Sequence, residues 1–348
     1  MGQAEGQLGL EGMPRRLYSC TPSRLNAWLD CPRRYRFTYL DRPAPPKGPP
    51  WAHNSVGASV HNALAGWWRE PYERRTPAMA GILLTKGWIT EGFRDQEQST
   101  VWRDRARAMV SGYTSTLDPS DEPVGVERTV ATRTSVIAVS GRIDRLDRRG
   151  DELVVVDYKT GRRPLTEDDA RSSLALAIYA VASSRVMHRA CRKVELHHVP
   201  TGSIVEWEHT DESLRRHIGR AEEIAMEASE ADELYRAWRA DSAPPRNASR
   251  PAASRTAASR TAASGAAASG AAASGAAASG AAASGAAGGG SRTAAAGAGP
   301  APVPPEIDAS FPPNTGPICS WCDYRRHCPE GQAAGTSHQP WDGLADSS

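Results

Sequence analysis

The segment VSGRIDRLDRRGDELVVVDYKTG, residues 139–161, restricts the fold of this chain more than any other stretch. Two runs rich in Val, Ile and Leu flank Gly150, so the segment reads as an antiparallel β-hairpin. If Gly150 and Asp151 form the two-residue loop, Arg149 pairs with Glu152 and Asp144 falls opposite Asp157. Moving the loop to Arg149 and Gly150 makes the two acids diagonal neighbours. Either way they share a face, because side chains alternate with a period of two. Opposed Cβ atoms are only about 4.5–5.5 Å apart, and like charges so placed are destabilising. A bound cation would remove that penalty. Lys159 lies on the face of Asp157, while Tyr158 points away and leaves its backbone carbonyl as a further oxygen ligand. Such a set suits Mg²⁺ or Mn²⁺, hard cations that prefer oxygen ligands and retain water. The metal would activate a water and neutralise a phosphate oxygen, with Lys159 orienting the nucleophile or stabilising developing charge. An acid–lysine pair on a solvated strand end is the plain alternative.

Around this hairpin the pattern is mixed. TPSRLNAWLDCPRRYRFTYL (21–40) opens as a helix, SVGASVHNALAGWWRE (55–70) reads as a second, and residues 94–117 as another. Short Val/Ile/Thr-rich strands fill 125–157. Thr166 and Asp169 form a capping box for a helix through EDDARSSLALAIYAVASS (167–184). A second hairpin turns at Pro200–Gly202, and a charged helix spans about 211–240. Helices around a mainly antiparallel or mixed sheet follow. From 243 to 305 the chain becomes a near-repeat of Ala, Gly, Ser and Pro with almost no large apolar side chain. It reads as a disordered insertion that cannot build a core. The expected organisation is a flexible N-terminus (1–17), a core (18–242), the insertion (243–305), a cysteine-bearing tail (306–332) docking on the first helix, and a flexible C-terminus (333–348).

Cysteine spacing is the second strong signal. Cys319-x2-Cys322-x5-Cys328 follows the insertion and Cys31 stands in the first helix, leaving Cys20 and Cys191 over. Without a secretion signal this spacing favours metal over disulfides. Four thiolates accept either tetrahedral Zn²⁺ or a [4Fe–4S] cluster, and spacing does not choose between them. A cluster would pin the tail to the N-terminal helix. Lys and Arg number 42 against 40 Asp and Glu, so a polyanion must be met by a local groove. The N-terminus has no basic stretch leading into an apolar one, and no run approaches the roughly 20 apolar residues of a membrane span. A soluble, cytoplasmic protein without membrane contact is expected.

Taken together, GRIDRLD (141–147) and VVVDYKTG (154–161), preceded by GASVHNAL (57–64) and followed by LALAIYA (174–180), resemble the RecB-like branch of the PD-(D/E)xK nucleases. The likeness covers roughly residues 18–240 and the cysteine tail. It implies an α/β restriction-endonuclease-like core, a mixed central sheet flanked by helices, with a C-terminal cysteine-cluster tail. It also implies a metal-binding role for Asp144 and Asp157, a catalytic role for Lys159, a histidine near the metal at His61, and a tyrosine after the sheet at Tyr179. Glu127 resembles the family's upstream glutamate, although an exposed strand glutamate is the alternative. His61 and Tyr179 have bland readings as helix-face and core residues. Where the family places a glutamine four residues before the tyrosine, this chain has Ala175, which removes a polar contact to substrate or metal. The family's iron–sulfur members space one N-terminal cysteine and a C-terminal trio as here, which implies [4Fe–4S] at Cys31, Cys319, Cys322 and Cys328, with structural Zn²⁺ as the alternative. The implied activity is a metal-dependent exonuclease acting on DNA, single-stranded or at strand ends, in repair or recombination. An endonuclease, or a DNA-binding module with weak turnover, stands as the alternative. Trp67 and Trp68 are candidates for base stacking or for core. No G-x-x-x-x-G-K-[ST] occurs, so a helicase or repair partner would act in trans.

Overall fold

Period-two patterning and tight turns produce six strands, here seen in a computed structural model that describes residues 17–242 and 303–344. They are β1 (Tyr18–Cys20), β2 (Gly125–Arg133), β3 (Ile137–Arg149), β4 (Glu152–Lys159), β5 (Cys191–His198) and β6 (Ser203–Glu208). They form one sheet in the order β1-β3-β4-β5-β6, with β2 also on β3. The β1–β3 and β4–β5 pairs are parallel and the rest antiparallel, so the sheet is mixed. Arg149 pairs with Glu152 and Arg145 with Val156, the register of a Gly150–Asp151 loop. Gly150 has φ +63°, the left-handed conformation such loops require.

β3 organises the sheet. One edge carries β2 over residues 138–146, while the other carries β1 over 137–139 and β4 over 145–149. Residues 140–144 therefore have no strand on that second edge, and the β3–β4 ladder opens just before Asp144. The opening is where the candidate site lies.

Helices cover both faces. They are α1 (Pro22–Asp30), α2 (Pro32–Tyr39), α3 (Ala52–Arg69), α4 (Pro77–Lys86), α5 (Gln96–Thr114), α6 (Glu167–Arg171), α7 (Leu174–Met187) and α8 (Asp211–Asp241). The helix expected over 21–40 is broken at Cys31, which is extended at φ −171°, ψ 110°. Pro32 explains the break, because a residue before proline is driven out of the α region. The helix expected after the Thr166–Asp169 capping box also divides: the box is present, but Ser173 caps Leu176 and starts α7 afresh. α4 was signalled by Thr76 and Pro77, an N-cap and a first-turn proline, and lay outside the expected elements.

Val154, Val156 and Tyr158 of β4 pack with α3, α4 and α5 in one apolar cluster. Leu153 and Val155 face the other way into a cluster with Leu146 and α7. By alternation Asp157 and Lys159 belong to the α7 side. Trp67 and Trp68 are 0% and 4% exposed, so both are core and neither is free to stack on a base. Beneath β4 a buried polar chain runs from Arg149 through Glu195 and His197 to Tyr113. α8 is tied to α1 and α2 through buried Asp232, which accepts from Arg24 Nη2 at 2.8 Å and Tyr35 Oη at 3.0 Å.

Among the described residues, 17–238 and 303–344 form one compact unit, and of the second unit, Arg239–Pro302, only 239–242 are described. The insertion up to residue 302, residues 1–16 and residues 345–348 lie outside the described residues. From Val303 the tail, with α9 (Pro305–Asp308) and α10 (Pro329–Ala333), lies on the N-terminal helices. Arg33 donates to Asp308 at 2.6 Å and to the Phe311 carbonyl at 3.2 Å, and the Phe37 and Tyr324 rings meet edge-on at 5.5 Å. Residues 333–344, expected as part of a flexible C-terminus, are placed against the N-terminal part of the chain. Pro340 accepts the Ala52 N–H at 3.0 Å, and Trp341 and Leu344 pack on the α3–α5 core, whose apolar burial holds them. Phe311 is fully buried against Trp28 and Tyr235. Phe311→Ala should cost roughly 3 kcal/mol of stability, measured by urea unfolding; an unchanged midpoint would mean the tail does not dock in solution. No helix among the described residues is long and apolar enough to cross a membrane.

Candidate active site

Strands β2, β3 and β4 bring three acids into one row. β2 pairs Val126 with Arg145 and Arg128 with Ile143, which sets Glu127 opposite Asp144. The β3–β4 register in turn sets Asp144 opposite Asp157. Pairing is interrupted along this row. Glu127 adopts φ +50°, a left-handed conformation that costs a residue with a Cβ about 1–2 kcal/mol. Asp144 replaces the missing ladder bond, its Oδ2 accepting the Tyr158 backbone N–H at 2.9 Å.

His61 reaches the row from α3, with Nδ1 3.3 Å from Asp144 Oδ2. Ligand atoms of His61, Glu127 and Asp144 all lie within 4.8 Å of one another. Asp157 stands outside this triplet: its Oδ2 is 2.7 Å from Lys159 Nζ, and that buried oxygen makes no aligned hydrogen bond. The structure thus gathers Glu127 with His61 and Asp144, and sets the Asp157–Lys159 ion pair beside them. Tyr158 turns its ring to the opposite face, where its hydroxyl accepts from Trp68 Nε1 at 3.0 Å.

The electrostatics show an excess of negative charge away from water. Burial raises the Asp157 pKa, against the pull of Lys159 and with the help of Asp144. Burial also raises Glu127, opposed by Arg142, whose Nε is 2.7 Å from Glu127 Oε2. For His61 burial favours the neutral ring, but the Asp144 hydrogen bond and the surrounding carboxylates prevail and raise its pKa. Carboxylates that resist ionising beside an imidazole that holds its proton are groups short of a cation. Two carboxylates and one imidazole with convergent atoms fit a divalent metal.

Tyr179 of α7 closes the α7 side of the row. Burial, then the Asp157 and Asp144 charges, push its phenol up to about 12. Its ring rests on Gly141, where a Cβ would come within 2.4 Å of Cε1, so Gly141 is needed for this approach. Glu127, singled out by the family resemblance, is brought to His61 and Asp144 by the β2–β3 register, whereas Gly141 is legible as a site member only once α7 is packed on β3. A cleft of about 620 Å³ between α4 and α5 touches none of these residues.

A mixed sheet whose opened ladder carries a row of acids ending in Asp-x-Lys fits a phosphodiester hydrolase. The chain belongs to the PD-(D/E)XK nuclease superfamily, whose family model matches residues 19–263. No curated protein matches it. Chains of known structure that match number 17. One, named "Putative exonuclease" and from Eubacterium rectale, is 8% identical with a TM-score of 0.39, over 62% of this chain and 82% of that chain.

The strain at Glu127 allows function to be separated from folding. Glu127→Gly should leave stability unchanged or raise it by about 1 kcal/mol, since glycine accepts the positive φ. It should also weaken Mn²⁺ affinity at least about tenfold. Thermal melting and Mn²⁺ titration check the two halves; a destabilised variant that binds Mn²⁺ normally would make Glu127 a structural residue.

Proposed function

We propose that this protein is a divalent-metal-dependent deoxyribonuclease of the RecB-like branch, an exonuclease acting on single-stranded DNA or strand ends in repair or recombination. The observation that carries the proposal is the Glu127–Asp144–Asp157 row, held at an opened ladder by a strained backbone and flanked by Lys159. Strain of this kind is retained where a site needs it. A divalent cation, Mg²⁺ or Mn²⁺, held by Glu127, Asp144 and His61 would supply Lewis-acid charge for a phosphate oxygen and acidify a water. Asp144 is oriented in advance by the Tyr158 N–H and His61. Lys159, 47% exposed where Asp157 is 21%, presents its ammonium to the phosphate that approaches from solvent. Tyr179, its phenol protonated at neutral pH, remains a hydrogen-bond donor beside the row. Release of end label from linear single strands, with covalently closed circles left intact, would support the exonuclease. Cutting of the circles would make the enzyme an endonuclease, and binding of DNA without cleavage would leave the DNA-binding module.

The tail supports a second part of the reading, a [4Fe–4S] cluster at Cys31, Cys319, Cys322 and Cys328. These residues line one cavity beneath Phe37 and Tyr324. Backbone N–H groups of Asn314 and Gly331 donate to Cys31 and Cys328 sulfur at 3.4 and 3.3 Å, contacts that stabilise thiolate ligands. A cytoplasmic enzyme whose helicase or repair partner acts in trans completes the proposal.

A further inference from the structure

A second cleft opens where the active-site strand ends. Thr160 and Arg162, immediately beyond Lys159, line it together with His53 of α3, Trp102 of α5, and Trp321 and Leu344 of the tail. Its volume of about 320 Å³ lies at the lower end of small-molecule pockets, enough for one flat heteroaromatic group. Its lining residue His53 and the active-site residue His61 share one face of α3. His53, Gly57 and His61 recur every four residues on α3, a stretch of about 12 Å along the axis. Between them Gly57 packs on Thr160, whose Oγ1 would be 3.2 Å from a Cβ at that position. A strand whose phosphate sits at the acid row therefore has a path of a few nucleotides to the cleft.

The lining is made for a ring with polar edges. Trp321 is fixed by a stack on His338 at 4.1 Å and an edge contact with His53 at 5.6 Å. Trp102 carries the Arg105 guanidinium over its ring at 5.1 Å, while its Nε1 is buried without a partner. Buried His53 Nδ1 is also unpartnered and is roofed by Gly343, where a Cβ would come within 2.4 Å. Burial lowers the His53 pKa, which keeps the ring neutral and the wall apolar. Arg162 is exposed at the rim and offers a charge to backbone phosphate.

We propose that this cleft seats one base of the DNA strand being cleaved against the Trp102 and Trp321 rings, with Arg162 contacting the neighbouring phosphate. The proposal rests on the nuclease reading, and its test is chosen to separate the two. Binding of short labelled single-stranded DNA is measured by anisotropy in EDTA, where cleavage plays no part. In the set of oligonucleotides one nucleotide at a time is abasic. For the wild type, an abasic site at one position should weaken binding at least about fivefold, the lower end for loss of a base stacked on an aromatic ring. In Trp102→Leu, which keeps an apolar side chain and removes the aromatic wall, the same lesion should cost distinctly less, the signature of coupled groups. Arg162→Ala, at an exposed position, should lower the affinity of every oligonucleotide and reduce its salt dependence. A lesion effect equal at all positions, one undiminished in Trp102→Leu, or no binding by the wild type would overturn the cleft. Position-specific binding by a wild type that cleaves nothing with Mg²⁺ or Mn²⁺ would sink the nuclease reading and leave the cleft standing.

Discussion

Asp157→Asn and Lys159→Ala should each slow DNA cleavage at least a hundredfold while the protein stays folded. Metal-assisted water activation and charge stabilisation each supply several kcal/mol of barrier reduction, and about 1.4 kcal/mol is tenfold in rate. Asp157→Asn removes charge from a carboxylate whose ionisation burial already opposes. Its stability should hold or rise slightly, since a facing like charge is relieved. Lys159→Ala removes the ammonium 2.7 Å from Asp157 and leaves that acid unpaired, so part of its loss will come through the acid. Asp144→Asn should behave as Asp157→Asn does, because the Asn oxygen can still accept the Tyr158 N–H. Excess Mn²⁺ should partly restore Asp144→Asn but not Lys159→Ala. Single-turnover cleavage alongside thermal melting reads all of this. Wild-type rates in Asp157→Asn and Lys159→Ala would reduce the row to a strand with a charged end.

Protein purified without oxygen should be brown and carry iron and sulfide, and Cys31→Ala should lose both. The predicted destabilisation is several kcal/mol, within the order of 10 kcal/mol that metal–thiolate binding contributes in small zinc modules. Closing the long loop between Cys31 and Cys319 does not cancel this, because each doubling of loop length adds only about 0.6 kcal/mol. Cys319→Ala, Cys322→Ala and Cys328→Ala should behave alike, since the four thiols line one cavity. Limited proteolysis should then cut the tail, although Phe311 and the Arg33–Asp308 bond still hold it in part. Stoichiometric zinc without iron would replace the cluster with the other metal. Four variants as stable as the wild type would remove the staple.

Much of the site could be read from the chain because a two-residue loop fixes a hairpin's register. Gly150 marks the turn, and alternation then places Asp144 against Asp157 without knowledge of the rest. The strand after Pro200–Gly202 and the helix from Asp211 were legible for similar local reasons. What was hidden depends on contacts distant in sequence. Three-residue β1 is a strand because β3 offers it a parallel partner, and nothing local distinguishes Tyr18–Cys20. Glu127 was a candidate from its place before the strand, but its position opposite Asp144 and its positive φ depend on pairing with β3. The breaks at Cys31 and Ser173 were written in Pro32 and in the serine cap, local signals that an apolar helical period overrode in the reading. The break at Cys31 also serves the tail, since an extended residue there is the one that lines the cysteine cavity.

The central claim is that the acid row hydrolyses DNA with a divalent metal, and its most direct test is the wild-type protein on end-labelled DNA. With Mg²⁺ or Mn²⁺ the account predicts release of labelled nucleotide at a rate that saturates with metal and vanishes in EDTA. Intact DNA under every divalent metal tried, or equal degradation in EDTA, would contradict it.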